Sequence, residues 1–207
     1  MSQPGDIQIN VTDHIRSGDA IGGKQPEPTE NEKAMKELHE LVARYVEPHP
    51  KPGRTVTNKD VKRVMEEGDV LLKLCSIPRG LYGHSMGMAH IQIESEDPLR
   101  FFVTQKGEYI INPVIHNHTQ HTVDSDEGCM SFPELLKVRV QRYNKIDMTY
   151  QTLIEKKGGG VKLSKEYEGS FSGIIAKMIQ HEIAMLNGKY IYDPDYTAQA
   201  ALDKPKD

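Results

Sequence analysis

Hydrophobic positions recur at helical spacing in three stretches of the chain and at strand spacing between the second and the third. Met35, Leu38, Leu41, Val42 and Tyr45 step by three and four after Thr29 and Glu32, a capping-box pair, which predicts an amphipathic helix to about residue 46. Pro48 and Pro50 end it. A second helix is expected from about residue 58, with Val61, Val64, Met65, Leu71, Leu72 and Cys75 on one face. Gly68 lies inside it at a cost of about 1 kcal/mol relative to alanine. Pro78-Arg79-Gly80 stops it. Residues 99–104, 108–115, 135–142 and 145–154 are then short runs rich in Val, Ile, Tyr, Phe and Thr, and they read as strands. A hairpin loop over 156–160 leads to a further run over 161–167. The last strong element spans about 172–186, where Ile174, Ile175, Met178, Ile179, Glu182, Met185 and Leu186 recur at helical steps before an Asn187-Gly188 cap. Helices flanking a block of strands with one wet face predict an α+β fold with an antiparallel sheet.

Composition narrows this picture. The 207 residues are 37% hydrophobic and 27% charged, which fits one domain of ordinary size. Its formal charge of -4 supplies no positive excess for a polyphosphate partner, so direct nucleic-acid binding is not expected. No apolar run approaches the ~20 residues that span a bilayer, and no signal-peptide pattern opens the chain, so no membrane and a cytoplasmic location are expected. Residues 1–57 are expected to form an extension with one amphipathic helix, 58–195 the main domain, and 196–207 a flexible tail. Cys75 and Cys129 are too few for a disulfide framework and suit a reducing compartment, where a lone thiol is either buried or chemically employed.

Three segments carry candidate chemistry. His181-Glu182-Ile183-Ala184-Met185 sits on the last helix, where a four-residue step puts positions 181 and 185 on one face. With histidine at both ends, such a pair holds a metal while the glutamate handles the proton of its bound water, but here the second position is methionine. Glu127-Gly128-Cys129-Met130-Ser131 places a thiol between acidic and hydroxyl residues at a loop or strand edge, either as a metal ligand or as an inert buried side chain. Met86-Gly87-Met88-Ala89-His90-Ile91-Gln92 combines a glycine that admits a substrate backbone with an amide that can donate to a developing oxyanion.

Taken in this order, together with Ile111-Asn112-Pro113 and Gln180-His181-Glu182 followed by Leu186-Asn187-Gly188, these segments resemble the peptide deformylase family over about residues 58–193. The resemblance implies a twisted antiparallel sheet around a C-terminal helix that carries the His-Glu motif. It also implies a metal-dependent hydrolase that removes the N-formyl group from the initiator methionine of nascent peptides. The implied cofactor is a divalent metal, commonly Fe2+, with Zn2+ or Ni2+ as alternatives. Cys129 and His181 would ligate it, Glu182 would move the proton, and Gln92 with the Met130 N–H would stabilise the oxyanion. Gly87, Met86, Ile174, Lys177 and Met178 would border the substrate.

Two departures stand out. The family's second histidine is Met185, a soft, weak ligand, and the aspartate before it is Ala184. The third ligand is therefore open among Met185, His84 and His90. A second reading follows, in which the chain binds peptide ends or a ribosomal partner with impaired catalysis. Lys177 falls on an otherwise apolar stripe of the helix, where it either snorkels out or changes the pocket's preference. His116, His118 and His121 form a denser cluster, read as a solvated hairpin or as a separate metal site.

Overall fold

A computed structural model of the chain describes residues 9–10, 51–77, 85–94, 96–131, 137–193 and 195–202. The helix expected over 32–46 and His84 lie outside the described residues. Helix α1 spans Val61–Cys75 and buries Val61, Val64, Gly68, Leu71 and Cys75, a repeat of three and four, while Met65 is exposed. Helix α2 spans Gly173–Leu186 and is buried on every side from Ile179 onward. It ends where Gly188, at φ 79°, closes the turn by donating to the Met185 carbonyl.

Among the described residues ten strands form three sheets, whose pairing is antiparallel as expected apart from the short β1. β2 (Gly87–Ala89), β3 (Phe101–Thr104), β4 (Tyr109–His118), β7 (Lys145–Gln151) and β10 (Tyr167–Ser172) make the largest, in the order β10-β7-β4-β3-β2, antiparallel throughout. β5 (Thr122–Glu127) pairs antiparallel with β6 (Val138–Tyr143), and β1 (Ile9–Asn10) adds to β6 in parallel. β8 (Leu153–Glu155) and β9 (Val161–Leu163) form a hairpin whose loop takes Gly158, Gly159 and Gly160 at positive φ.

Two apolar clusters hold the layers together. One surrounds α2, with Phe102, Ile146, Met148, Ile183, Met185 and Cys129 among its members. The other lies between α1 and the inner end of the large sheet, with Val64, Leu71, Leu99, Phe101 and Ile111. Polar side chains fix how α2 sits: the Gln180 amide donates to the Tyr143 and Ala176 carbonyls at 2.7 and 2.9 Å and accepts from the Tyr143 N–H at 2.9 Å. At its end, buried Arg100 donates to Asn187 Oδ1 at 2.8 Å, and Asn187 donates to the Ala200 carbonyl at 2.8 Å.

The boundaries expected at residues 58 and 196 shift outward. Val56 is buried and bonded in both directions to the Asn112 side chain, whose own backbone takes φ 51° at an irregularity in β4. Tyr196, Ala198, Ala200 and Ala201 are buried as well, so residues 196–202 pack on α2 instead of forming a loose tail.

Gly68 has a packing reason: a Cβ there would lie 2.3 Å from Tyr109 Cε1, in the space the tyrosine ring fills beside α1. Gly68→Ala is therefore expected to lower stability in denaturant unfolding, although helix propensity alone predicts a gain of about 1 kcal/mol. In a Tyr109→Ala background the same substitution should become stabilising. A gain in both backgrounds would contradict this packing.

Candidate active site

Sequence alternation along β5 turns Ser125 and Glu127 inward, and the chain then passes through exposed Gly128 to buried Cys129. α2 contributes a stripe of Ile174, Lys177, Met178, His181 and Glu182. β2 and the 3-10 turn after it (His90–Gln92) supply Met86, Gly87 and Gln92. Together with Met130, these elements enclose a cleft of about 240 Å³. Every residue expected to touch substrate or move protons lines this cleft, and Cys129 lies against its wall, 3.8 Å from the Gln92 amide nitrogen.

Beneath the cleft is a buried charge cluster. Arg142 clamps Glu127 through two parallel bonds, Nε to Oε1 at 2.8 Å and Nη2 to Oε2 at 2.9 Å. His181 Nδ1 lies 2.9 Å from Glu127 Oε2 and 2.9 Å from the Tyr196 hydroxyl, and the Arg142 guanidinium stacks 4.5 Å from the centre of the Tyr196 ring. The carboxylate fixes the proton on Nδ1, so Nε2 is the ring nitrogen left for the Cys129 thiol, with which His181 is also hydrogen-bonded. Burial alone would raise the Glu127 carboxyl, but Arg142 and then His181 hold it well below the usual carboxylate range. Burial likewise opposes charge on His181, yet Cys129 and Glu127 outweigh it and push the imidazole up to about 10.

Glu182 is the opposite case. It is buried without a guanidinium or ammonium clamp, and desolvation raises its carboxyl to about 7, against which the His181 charge and the Ala89 N–H act only in part. Its Oε2 has no hydrogen-bond partner. Gly87 makes room for it, since a Cβ at 87 would stand 3.1 Å from Glu182 Oε1 and 3.0 Å from Met178 Sδ. Gln92 is oriented by the Ala89 N–H, which donates to Oε1 at 2.9 Å and turns the amide NH2 toward Ser131 Oγ and Cys129.

The histidine alternatives resolve differently. His90 is a core residue: its Nδ1 accepts from the Leu99 N–H at 2.9 Å, its Nε2 bonds to Glu67, and its ring packs on Phe101. Both nitrogens are committed away from the cleft, which corrects its candidacy as a ligand. His118 stacks on Tyr143 and bonds to the Thr119 carbonyl, while His116 lies near Glu168, so the hairpin cluster is a solvated face. Lys177 reaches the Asp124 carbonyl oxygen at 2.6 Å and still lines the cleft. Arg142 and Tyr196 carry no motif in the sequence. A strand arginine whose neighbours alternate apolar and a tyrosine in a lysine-rich tail gave no signal of the cluster they form.

Comparison with known proteins agrees with this arrangement. Residues 42–199 match the family described as polypeptide deformylase. The chain is 31% identical over 159 residues to the peptide deformylase of Thermotoga sp. strain RQ2, and 32% identical over 159 residues to that of Thermotoga petrophila. Each match covers 74% of this chain and 90% of the relative. The crystal structure of peptide deformylase from Thermotoga maritima superposes with a TM-score of 0.50 at 27% identity, covering 67% of this chain and 84% of that one. Fold and cleft thus define a hydrolase of the kind used in protein biosynthesis. The chain belongs to the peptide deformylase family.

Members of this family are metalloenzymes. The described residues do not complete a site for such a metal. Cys129 and His181 converge, but among the described residues no three His, Cys, Asp or Glu side chains form a metal-binding group. Position 185 offers only a buried thioether within the apolar cluster around α2. A thiolate and one imidazole are short of the three protein ligands that hold a catalytic divalent ion.

The buried cluster sets a stability prediction. Arg142→Met removes both charge-assisted bonds of the guanidinium and leaves the buried Glu127 carboxylate only His181 and Tyr196 as partners, so it is expected to lower unfolding free energy by about 3 kcal/mol, much of it regained in an Arg142→Met, Glu127→Gln double variant. Stability of the single variant within about 0.5 kcal/mol of the parent would contradict the cluster's role.

Proposed function

We propose that this chain hydrolyses the N-formyl group from the amino end of a peptide, with Glu182 as the group that moves the proton. The family acts on formylated nascent peptides. The observation that carries the reading is the Glu182 carboxyl itself, buried beside the cleft with one oxygen unpartnered and its pKa near the operating range of a general base.

In this reading the deprotonated Glu182 takes a proton from a water in the cleft as its oxygen attacks the formyl carbon. The Gln92 amide and the Met130 N–H donate to the oxyanion, and one such donor is worth about 3–4 kcal/mol. Glu182 then returns the proton to the departing nitrogen as the C–N bond breaks, leaving formate and a free amine. Gly87 lets the peptide backbone approach. His181, held by Glu127 and Tyr196, keeps the cleft floor rigid and polar. No step here uses a metal, so turnover is expected to be slow beside that of family members with a complete ligand set.

Met185 favours a second reading, a deformylase-like protein that retains peptide-end binding, for instance at a ribosomal partner, with little turnover. One experiment separates the two: formate release from formyl-Met-Ala-Ser against pH, with metal content measured on the same preparation. Hydrolysis predicts a rate that rises about tenfold per pH unit below about 7 and levels above it, because the base form of Glu182 grows as pH rises. Glu182→Gln should abolish it. Met185→His should raise bound metal toward one per chain and formate release by about 10–100-fold. Peptide binding without formate release in either form would establish the binding reading.

A further inference from the structure

The wall of the cleft formed by Ser125, Lys177 and Met178 is polar at two of three positions. The Lys177 ammonium donates to one backbone oxygen, Asp124 O, and no carboxylate lies within 4.0 Å of it among the described residues. An ammonium carries three donors, so two are open to solvent or to an entering acceptor. On the strand beside it the acidic groups are already committed: Asp126 is clamped by Arg139 at 2.9 and 3.3 Å, Glu127 by Arg142, and the exposed Asp124 side chain accepts from Gln141, while Glu182 lines the same cleft from the helix and makes no ion pair with Lys177. Lys177 therefore stands on the cleft wall as a positive charge that feels Asp126 at longer range but is held in no ion pair among the described residues. Ser125, buried behind it, adds a hydroxyl and very little apolar surface.

A thioether gains little from such a wall. It accepts hydrogen bonds weakly, and its entry would strip water from the ammonium without replacing it. A carboxylate at the end of a side chain supplies the missing acceptor and the opposite charge in a partly dehydrated setting, where such a pair is stronger than on an open surface. We propose that Lys177 is a specificity-determining residue, and that the cleft selects N-formylated amino acids or peptides whose first side chain is anionic. This rests on the reading of the cleft as a formyl-peptide site and names its substrate class. The apolar hollow beyond Met86 and Met178, lined by Ile110, Phe171 and Ile175, is the rival seat for a methionine side chain.

The test is calorimetric binding of formyl-Glu-Ala-Ser and formyl-Met-Ala-Ser to the full-length protein, with Lys177→Met and Lys177→Arg alongside. The parent should bind the glutamyl peptide about tenfold more tightly, with the preference shrinking at high salt. Lys177→Met should reverse it and Lys177→Arg retain it, and unfolding curves for each variant exclude a folding defect. Equal or tighter binding of the methionyl peptide by the parent, unchanged in Lys177→Met, would overturn the proposal and leave the formyl-peptide reading standing. Binding of neither peptide by the parent would overturn both.

Discussion

Everything around the cleft depends on one buried carboxylate. Glu127 ends β5, and with almost no contact to water it is tolerable there only because Arg142 reaches it with two charge-assisted bonds from the neighbouring strand. That clamp ties β5 to β6. Its free edge then takes the His181 ring, which ties the small sheet to α2. Tyr196 closes the cluster and draws the C-terminal segment over it. The same interaction that joins three parts of the fold thus decides which nitrogen of His181 faces Cys129.

Two carboxylates flank His181, one bonded to its ring and one next to it in the chain, and they behave oppositely. Glu127 is clamped by a guanidinium and stays charged, while Glu182 has only the His181 charge against its burial and is raised to about 7. This division places a fixed negative charge under the imidazole and a movable proton at the cleft. Met185 alters what can be built on that frame. Its side chain belongs to the apolar cluster, so the helix gains packing where a third polar ligand would otherwise project. The thiol, imidazole and amide still converge, but among the described residues they are joined by no third metal-ligating side chain.

Much of this was legible in the sequence, because motif residues have few physical uses. The α+β class, the helical spans of α1 and α2, and the convergence of Cys129, His181, Glu182, Gln92 and Gly87 follow from periodicity and resemblance. β5 did not, since Thr122–Glu127 is rich in Asp and Ser, which strands generally avoid, and its charges are tolerated only through arginines on β6. His90 looked like a loop residue beside the site. Its true partner, Glu67, lies on α1, and nothing in local spacing joins them. The segment after residue 195 read as tail from its composition, yet the polar demand of His181 and Arg142 pulls Tyr196 inside. Long-range polar pairing overrode local pattern in all three cases.

The bond from His181 Nδ1 to Glu127 can be followed in proton-nitrogen correlation spectra of the imidazole, recorded across pH on metal-free protein. A hydrogen-bonded Nδ1–H and a charged ring that persists to about pH 10 are expected, with the value lowered in Glu127→Gln. A ring that carries its neutral-form proton on Nε2 and titrates near the ordinary histidine value of about 6.5 would contradict this bond.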